Sequence, residues 1–165
     1  MSARSAFCRQ AWSRMVALYG VPGIGPLCLA LQEAFEADVP VLLFFALADA
    51  AGEGLEPADF DRLTAAAAEW RALAVVPLRR IRVDLKDRAV TPELQTFRAA
   101  IKASELEAER LEVARLAETF EPLSGPPGLA PAYLARLGVP PDETARALAA
   151  LRDAAQSVTR PSRAS

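Results

Sequence analysis

The chain has 165 residues, of which 52% are hydrophobic and 24% charged, and its formal net charge is −2. This length suits one domain with its own core, the abundance of alanine favours helices, and the near-balanced charge excludes a whole-molecule field that would draw the chain onto nucleic acid or an anionic membrane. The sequence contains no histidine, and histidine is both the commonest metal ligand and the commonest general base. Its absence argues against catalysis, and no cofactor is predicted.

The cysteines and the apolar segments indicate in which cellular compartment the chain is expected to lie. Cys8 and Cys28 stand alone in apolar helical patterns and form no CxxC pair. No signal peptide is recognisable, and the longest apolar run, residues 39–48, has about half of the roughly 20 residues that a membrane-spanning helix needs. We therefore expect reduced cysteines, a cytoplasmic location and no membrane span.

The first turn of the chain is rich in glycine. Apolar residues near the 3.6-residue period predict a helix over residues 5–19 and a second helix from about residue 25. Gly23 and Gly25 lie at the start of this second helix, where exposed amides can bind an anion. Pro26 removes one such amide, however, and no phosphate-loop pattern is present. We favour a helix-to-helix turn and keep a site for a small anionic ligand as the alternative.

Three further helices are predicted before residue 90. Asp38 is the expected N-cap of an apolar third helix that ends around residues 51–54, and Pro57 opens the fourth. Trp70 is expected to anchor the fourth helix in the core where it crosses the third. Pro77 should kink or stop this helix, because proline has no amide proton, and a short helical face follows.

A long helix and a tail complete the predicted organisation. Thr91, followed by proline and glutamate, starts a helix that runs to about residue 120. Residues 121–128 contain three prolines and two glycines, a linker composition. We predict an all-α core of five to six helices, in bundle-like or orthogonal packing, over residues 1–120. A short helical, partly mobile tail over residues 129–165 either docks on this core or stays free.

Two charged ridges flank the turn before the long helix. The basic ridge consists of Arg79, Arg82 and Lys86, with Arg80 and Arg88 beside it. The acidic ridge consists of Glu105, Glu109 and Glu112. Helical spacing places each set on one face, and in an antiparallel hairpin the ridges either face each other or project to solvent. We favour paired or solvated charge, with a surface for an acidic partner or a polyanion as the alternative.

Three polar residues lie in or beside the most apolar stretch, where an unpaired polar group is costly. We expect Asp38 to cap a helix, Asp49 to lie near solvent at a helix end, and Gln32 to bind a loop carbonyl or point outward. A two-carboxylate acid/base site is the less favoured interpretation.

The order of several short motifs resembles that of a known family. In chain order they are Trp12, Tyr19, Pro22-Gly23, CLALQ at 28–32, DV at 38–39, LLF at 42–44, Trp70, PLR at 77–79 and ELEAER at 105–110. Over about residues 7–120 the chain resembles an all-helical domain of unknown function found mainly in proteobacteria. The resemblance implies no reaction, cofactor or substrate. Pro40 stands where the family pattern has a polar residue, typically asparagine, which puts a role for a side-chain amide there in doubt.

These features predict a protein-interaction or regulatory module rather than an enzyme, because catalytic motifs are missing while charged helical ridges suit partner binding. A protein partner is expected, and nucleic acid is disfavoured by the net charge. The alternative function is the binding of a small anionic ligand between residues 20–26 and the ridge of Arg79, Arg82 and Lys86.

Overall fold

A single apolar helix organises the structure. A computed structural model describes residues 6–124 and 128–159, and in it α3 (Val39–Ala50) is buried at every position from Pro40 to Ala48. A helix that is apolar all round has no face to turn to solvent. Other helices therefore pack against it, among them α1, α2, α6, α7 and α8.

The described chain is almost entirely helical, which confirms the all-α prediction. In chain order its elements are α1 (Ala6–Tyr19), α2 (Ile24–Phe35), α3, β1 (Glu53–Gly54), α4 (Pro57–Trp70), a π-helical turn (Arg71–Val75), α5 (Val76–Asp84), α6 (Pro92–Thr119), β2 (Leu123–Ser124), α7 (Leu129–Arg136) and α8 (Pro141–Thr159). The short strands β1 and β2 pair antiparallel. The predicted helix start at residue 5 lies outside the described residues.

Side-chain caps set two of these helix starts as predicted. The Asp38 carboxylate accepts from the Val41 amide at 3.5 Å, and the Thr91 hydroxyl accepts from the Leu94 amide at 3.3 Å. Each cap is followed by a proline in the first turn, where its missing amide proton costs nothing. The sequence signals for α3 and α6 are therefore confirmed.

The helix does not stop at Pro77, which corrects that part of the prediction. The backbone stays right-handed helical through Val75 and Val76, and the Val76 amide donates to the Arg71 carbonyl, five residues back. This wider π turn changes the hydrogen-bond pattern just before the proline, which has no amide proton to place. The chain thus runs from α4 into α5 without leaving the helix.

The two helices after the Pro/Gly-rich segment dock on the core, which answers the question that the sequence left open. Leu134 and Leu151 are at most 1% exposed. The Asp49 carboxylate accepts hydrogen bonds from the amides of Gly128, Leu129 and Ala130 at 2.9–3.0 Å, so it caps α7 from the end of α3. The division into an independent core and a partly mobile tail stays a prediction. Residues 125–127 and 160–165 lie outside the described chain.

One part of the structure has no core of its own. Between residues 76 and 104 no residue is buried, and the buried positions of α6 begin at Glu105. In this stretch α5 packs against α6 and the π turn. We refer to residues 76–104 as the α5–α6 arm.

Candidate functional site

Two polar clusters are built around buried glutamates of α6. Glu105 lies in one cluster and Glu112 in the other, about two helical turns apart. The outer cluster, at the base of the α5–α6 arm, consists of Arg79, Arg82, Glu105, Glu109 and Gln32. The inner cluster, beneath the N-terminus of α3, consists of Asp38, Arg71, Glu112 and Tyr133.

Arg79 is the centre of the outer cluster. Its guanidinium donates to Glu105 Oε1 and Glu109 Oε1, each at 2.8 Å, and to Gln32 Oε1 at 3.0 Å. A guanidinium presents its donors in a planar fork, and here each of its three nitrogens has an acceptor. The bond to Gln32 ties the arm to α2 and replaces both roles that the sequence suggested for this glutamine.

Glu105 joins the two arginines of the arm. Arg82 donates to both oxygens of Glu105, with Nη2 at 3.2 Å from Oε1. Burial acts to raise the pKa of Glu105, but the hydrogen bonds from Arg82 and Arg79 hold it below its usual value. The structure thus pairs Arg79 and Arg82 with acids, as the favoured interpretation of the ridges expects. Arg80 and Lys86 are exposed.

Glu112, the third acid of the ridge, belongs instead to the inner cluster. It is 1% exposed, and neither of its oxygens has a donor among the described residues. Its carboxyl lies within hydrogen-bonding reach of Asp38, and two carboxyl groups can share a hydrogen bond only when one holds a proton. Burial, then the charge and hydrogen bond of Asp38, raise the pKa of Glu112 to about 10. Glu112 is therefore neutral at pH 7.

Asp38 holds the inner cluster together. Its amide donates to the Tyr133 hydroxyl at 2.9 Å, which fastens α7 to the start of α3. Burial, and then the charge of Asp38, raise the pKa of Tyr133 above its usual value. Arg71, on the π turn, approaches Asp38 Oδ1 only to 3.8 Å, which is too long for a hydrogen bond.

The inner cluster was not foreseen as a cluster. Asp38 was expected as a cap, with a two-carboxylate acid/base site as the less favoured interpretation. Glu112 was expected only as part of a ridge, and Arg71 and Tyr133 carried no predicted polar role. One signal was present in α6, because Glu112 occupies the buried face between Ala108 and Leu116, where an acid is unusual.

Trp70 packs on α6, so its predicted place where the fourth helix crosses the third is wrong; α4 instead meets α3 through Phe60, whose ring stacks on Phe45. The indole Nε1 of Trp70 donates to the Ala108 carbonyl at 2.9 Å, and the Arg115 guanidinium lies 5.0 Å from the indole ring centre. The indole is half-buried. Trp70 therefore holds the end of α4 against the helix that carries both polar clusters.

The glycine-rich turn has little capacity for an anion. Gly23 has a φ of 88° and stands as the N-cap of α2, a conformation that favours glycine. The amides of Ile24 and Leu27 already donate to backbone carbonyls, and Pro26 has none. Arg79 meets α2 at Gln32, more than two turns beyond Gly23. An anion site joining Gly23 and Gly25 to the basic residues stays a prediction.

Membrane and metal features were also sought in the part of the chain that the structure describes. Within it, no single helix combines the length and apolarity needed to cross a membrane; Phe7–Tyr19 and Ile24–Phe35 do so only as a pair, bent by 95°. The same residues contain no group of three or more acids and cysteines arranged to hold a metal ion. Burial raises the pKa of the Cys28 thiol to about 12, which keeps it protonated.

The fold and these side chains define an all-α domain with a buried acid pair and an ion-paired helical arm. Residues 10–116 match the model of a family described as "Protein of unknown function (DUF2390)", and the chain belongs to this family. The resemblance to an all-helical domain of unknown function is thereby confirmed. No curated protein and no solved structure matches the chain.

Proposed function

We propose that this chain is a protein-interaction module whose α5–α6 arm binds an acidic helical segment of a partner protein. The observation that carries the proposal is the absence of any buried residue from 76 to 104. The arm nevertheless bears six exposed large apolar side chains: Val76, Ile81, Val83, Val90, Leu94 and Phe97. Exposed apolar surface of this kind, set among charged residues, is typical of interaction sites.

The positive charge of the arm favours a partner with an acidic surface. The arm contains seven basic and three acidic residues, a net charge of +4, whereas the rest of the chain carries −6 within a total of −2. Two such arms repel each other, which disfavours a symmetric dimer through this surface. An acidic partner is attracted by the same charge.

The spacing of the apolar residues favours a helical partner. Leu94, Phe97 and Ile101 recur at i, i+3 and i+7 on α6, which places them on one face. A helix with its own apolar stripe can lie along this face while its carboxylates meet Arg80 and Lys86, both exposed on α5. The arm thus offers apolar contact area and charge selection together.

The outer cluster supports the arm in this role. Arg79 joins α5 to α6 through Glu105 and Glu109 and to α2 through Gln32. A surface held in place before binding loses less conformational entropy when the partner docks. The paired arginines therefore position the arm, and the exposed basic residues are free for the partner.

The test uses a labelled synthetic helix of Glu–Leu heptads, with a Lys–Leu helix of the same apolar pattern as its control. Fluorescence anisotropy with the full chain should show binding of the acidic helix that weakens as salt is added. The double variant Arg80→Glu/Lys86→Glu should lose this binding, and Phe97→Ser should weaken it. Arg152→Glu, an exposed substitution on α8, should bind like the parent chain.

Three results would overturn the proposal. Equal binding of the Lys–Leu helix would show that apolar contact, and not charge, determines which helix the arm binds. Preferential binding of duplex DNA or RNA over the acidic helix would make the arm a nucleic-acid surface. A dimer in sedimentation velocity that Phe97→Ser abolishes would make a second copy of the chain the occupant.

A further inference from the structure

A cleft of about 570 Å³ opens beside the inner cluster, between α4, α7 and the start of α3. We refer to it as the α4–α7 cleft. Half of its lining residues are aliphatic, among them Val41, Ala65, Ala68, Ala72 and Leu137, and the other half are polar or charged. The small alanine side chains of α4 leave room for a hydrocarbon group, and this volume falls in the usual range for small-molecule sites. The cleft meets the arm only at Val76, which lines the cleft and is the first residue of the arm.

Arg71 lines the cleft with a guanidinium that lies at ion-pair distance from Asp38 but forms no hydrogen bond among the described residues. Its side chain is only 16% exposed, and Nη1 is buried without an acceptor among the described residues. The nearest acid oxygen, Asp38 Oδ1, is 3.8 Å from Nη1, beyond hydrogen-bonding distance. An arginine has five N–H donors, and a mostly buried one is usually paired with acceptors.

Arg71 therefore lacks a hydrogen-bond acceptor, and a ligand bound in the cleft can supply one. Asp38 Oδ1 accepts from the Val41 amide, and Asp38 Oδ2, which has no other donor among the described residues, can take a hydrogen bond from the protonated carboxyl of Glu112. Because Glu112 is neutral, it adds no negative charge beside the cleft. The second arginine of the cleft, Arg136, is already occupied by Asp61 and Thr64.

We infer that the α4–α7 cleft binds a small aliphatic monocarboxylate, whose carboxylate pairs with Arg71 and whose hydrocarbon part lies against the alanines of α4. A carboxylate matches the planar fork of a guanidinium in two parallel hydrogen bonds. A phosphate, with more negative charge, is disfavoured by Asp38 and by Glu36, which also lines the cleft. The same chemistry is offered by a free acid and by the C-terminus of a peptide.

Isothermal titration calorimetry on the full chain tests this assignment with hexanoate as the probe. Hexylammonium and hexanamide have similar hydrocarbon parts with a positive or no charge, and neither should bind. N-acetyl-leucine distinguishes the two carboxylate sources, because it carries its carboxylate on a peptide-like backbone. Arg71→Gln should weaken hexanoate binding about tenfold or more.

A second variant keeps the test independent of any folding defect caused by changing Arg71. Ala68→Leu fills the cleft from an exposed position on α4 and should abolish hexanoate binding. Ala66→Leu makes the same change on the same helix but faces a different cleft, beside Trp70 and Arg115, and should bind hexanoate normally. Saturable binding by N-acetyl-leucine alone would support the same site with a peptide terminus as its ligand.

The inference is overturned if neither carboxylate binds saturably to the parent chain. Equal binding of hexylammonium would also overturn it, because Asp38 rather than Arg71 would then select the ligand. Hexanoate binding that survives Ala68→Leu would place the acid elsewhere on the molecule.

Discussion

The two polar clusters on α6 contain the same kinds of side chain in opposite conditions. In the outer cluster, Glu105 receives hydrogen bonds from two arginines, and each nitrogen of Arg79 has an acceptor. In the inner cluster, Glu112 has no donor and Arg71 has no hydrogen-bonded acceptor among the described residues. Both glutamates are buried, so burial alone does not explain the difference.

The difference lies in which elements reach each glutamate. Glu105 faces α5, which supplies Arg79 and Arg82 one helical turn apart. Glu112 faces the start of α3, where the nearest charged group is another acid, Asp38. Matched charges around Glu105 make the outer cluster a scaffold, whereas the inner cluster holds a proton on Glu112 and, beside the cleft, an Arg71 guanidinium without a hydrogen bond among the described residues. Fully paired groups are thus structural, and under-paired groups mark the candidate ligand site.

The largest expected effect is at Glu105. Glu105→Gln removes the charge that pairs with Arg79 and Arg82, and we expect it to lower the free energy of unfolding by about 2–3 kcal/mol at pH 7. Chemical denaturation measures this. Glu107→Gln is the matched control on the same helix, because Glu107 pairs with Arg110 at the exposed surface, and it should leave stability unchanged. Equal effects of the two variants would show that the outer cluster is not structural.

The same substitution at Glu112 should have the opposite sign. The pKa of Glu112 is raised to about 10 in the folded chain, from an ordinary value of 4.5. Its protonation therefore supports folding fully below pH 4.5, and this contribution is lost as the pH rises toward about 10. Glutamine needs no proton, so Glu112→Gln should raise stability at pH 7 by about 1–2 kcal/mol.

The pH dependence separates this explanation from a simple packing effect. The difference in unfolding free energy between Glu112→Gln and the parent chain should grow from pH 5 to pH 9, as denaturation at a series of pH values will show. Glu105 contributes in the other direction: its pKa is lowered, so its stabilisation is present at neutral pH and is lost on acidification below its ordinary range. A difference that does not change with pH would contradict the protonated state of Glu112.

Asp49 provides a third carboxylate and extends the comparison to the tail. It accepts hydrogen bonds from three backbone amides at the start of α7. Like the paired Glu105, it should therefore stabilise the folded chain. Asp49→Asn should cost about 1–2 kcal/mol and speed cleavage in limited proteolysis, with the first cut expected between Leu123 and Gly128. Asp153→Asn, exposed on α8, is the control. First cleavage before residue 120 in the parent chain would contradict the predicted domain boundary.

Local signals predicted much of the fold. Caps and prolines at Asp38, Pro57 and Thr91 foretold where α3, α4 and α6 begin, because cap and proline preferences act within one turn. The π turn before Pro77 was missed, since a helix can absorb a proline by changing its hydrogen-bond pattern. Whether the core continues into α7 was left open for another reason: it depends on the hydrogen bonds of Asp49 and on burial of Leu134, both of which are long-range effects.

The candidate site was predictable only in part. The spacing of Glu105, Glu109 and Glu112 is the same as that of a solvated ridge, and spacing alone cannot tell which acid faces an arginine. Sequence reasoning therefore found the arginines and glutamates of the outer cluster, but it placed Glu112 among them and did not include Gln32. The inner cluster joins four residues from four different elements: Asp38, Arg71, Glu112 and Tyr133. These residues are far apart in the sequence, so no local sequence pattern predicts that they come together.

The smallest expected effect is at the glycine-rich turn, and it tests whether the outer cluster is as fully occupied as its hydrogen bonds indicate. Gly23 has a φ of 88° with nothing near the place of a Cβ, so Gly23→Ala should cost about 1 kcal/mol through backbone strain alone. Gly20→Ala is the matched control in the same turn: its φ is not positive, and its Cβ would meet backbone oxygens at an ordinary 3.5 Å. Inorganic phosphate should not raise the melting temperature of the parent chain, because Arg79 and Arg82 already hold carboxylates. A saturable rise with phosphate that is lost in Arg79→Glu would show that these arginines exchange their acids for an anion, and the outer cluster would then be a binding site rather than a scaffold.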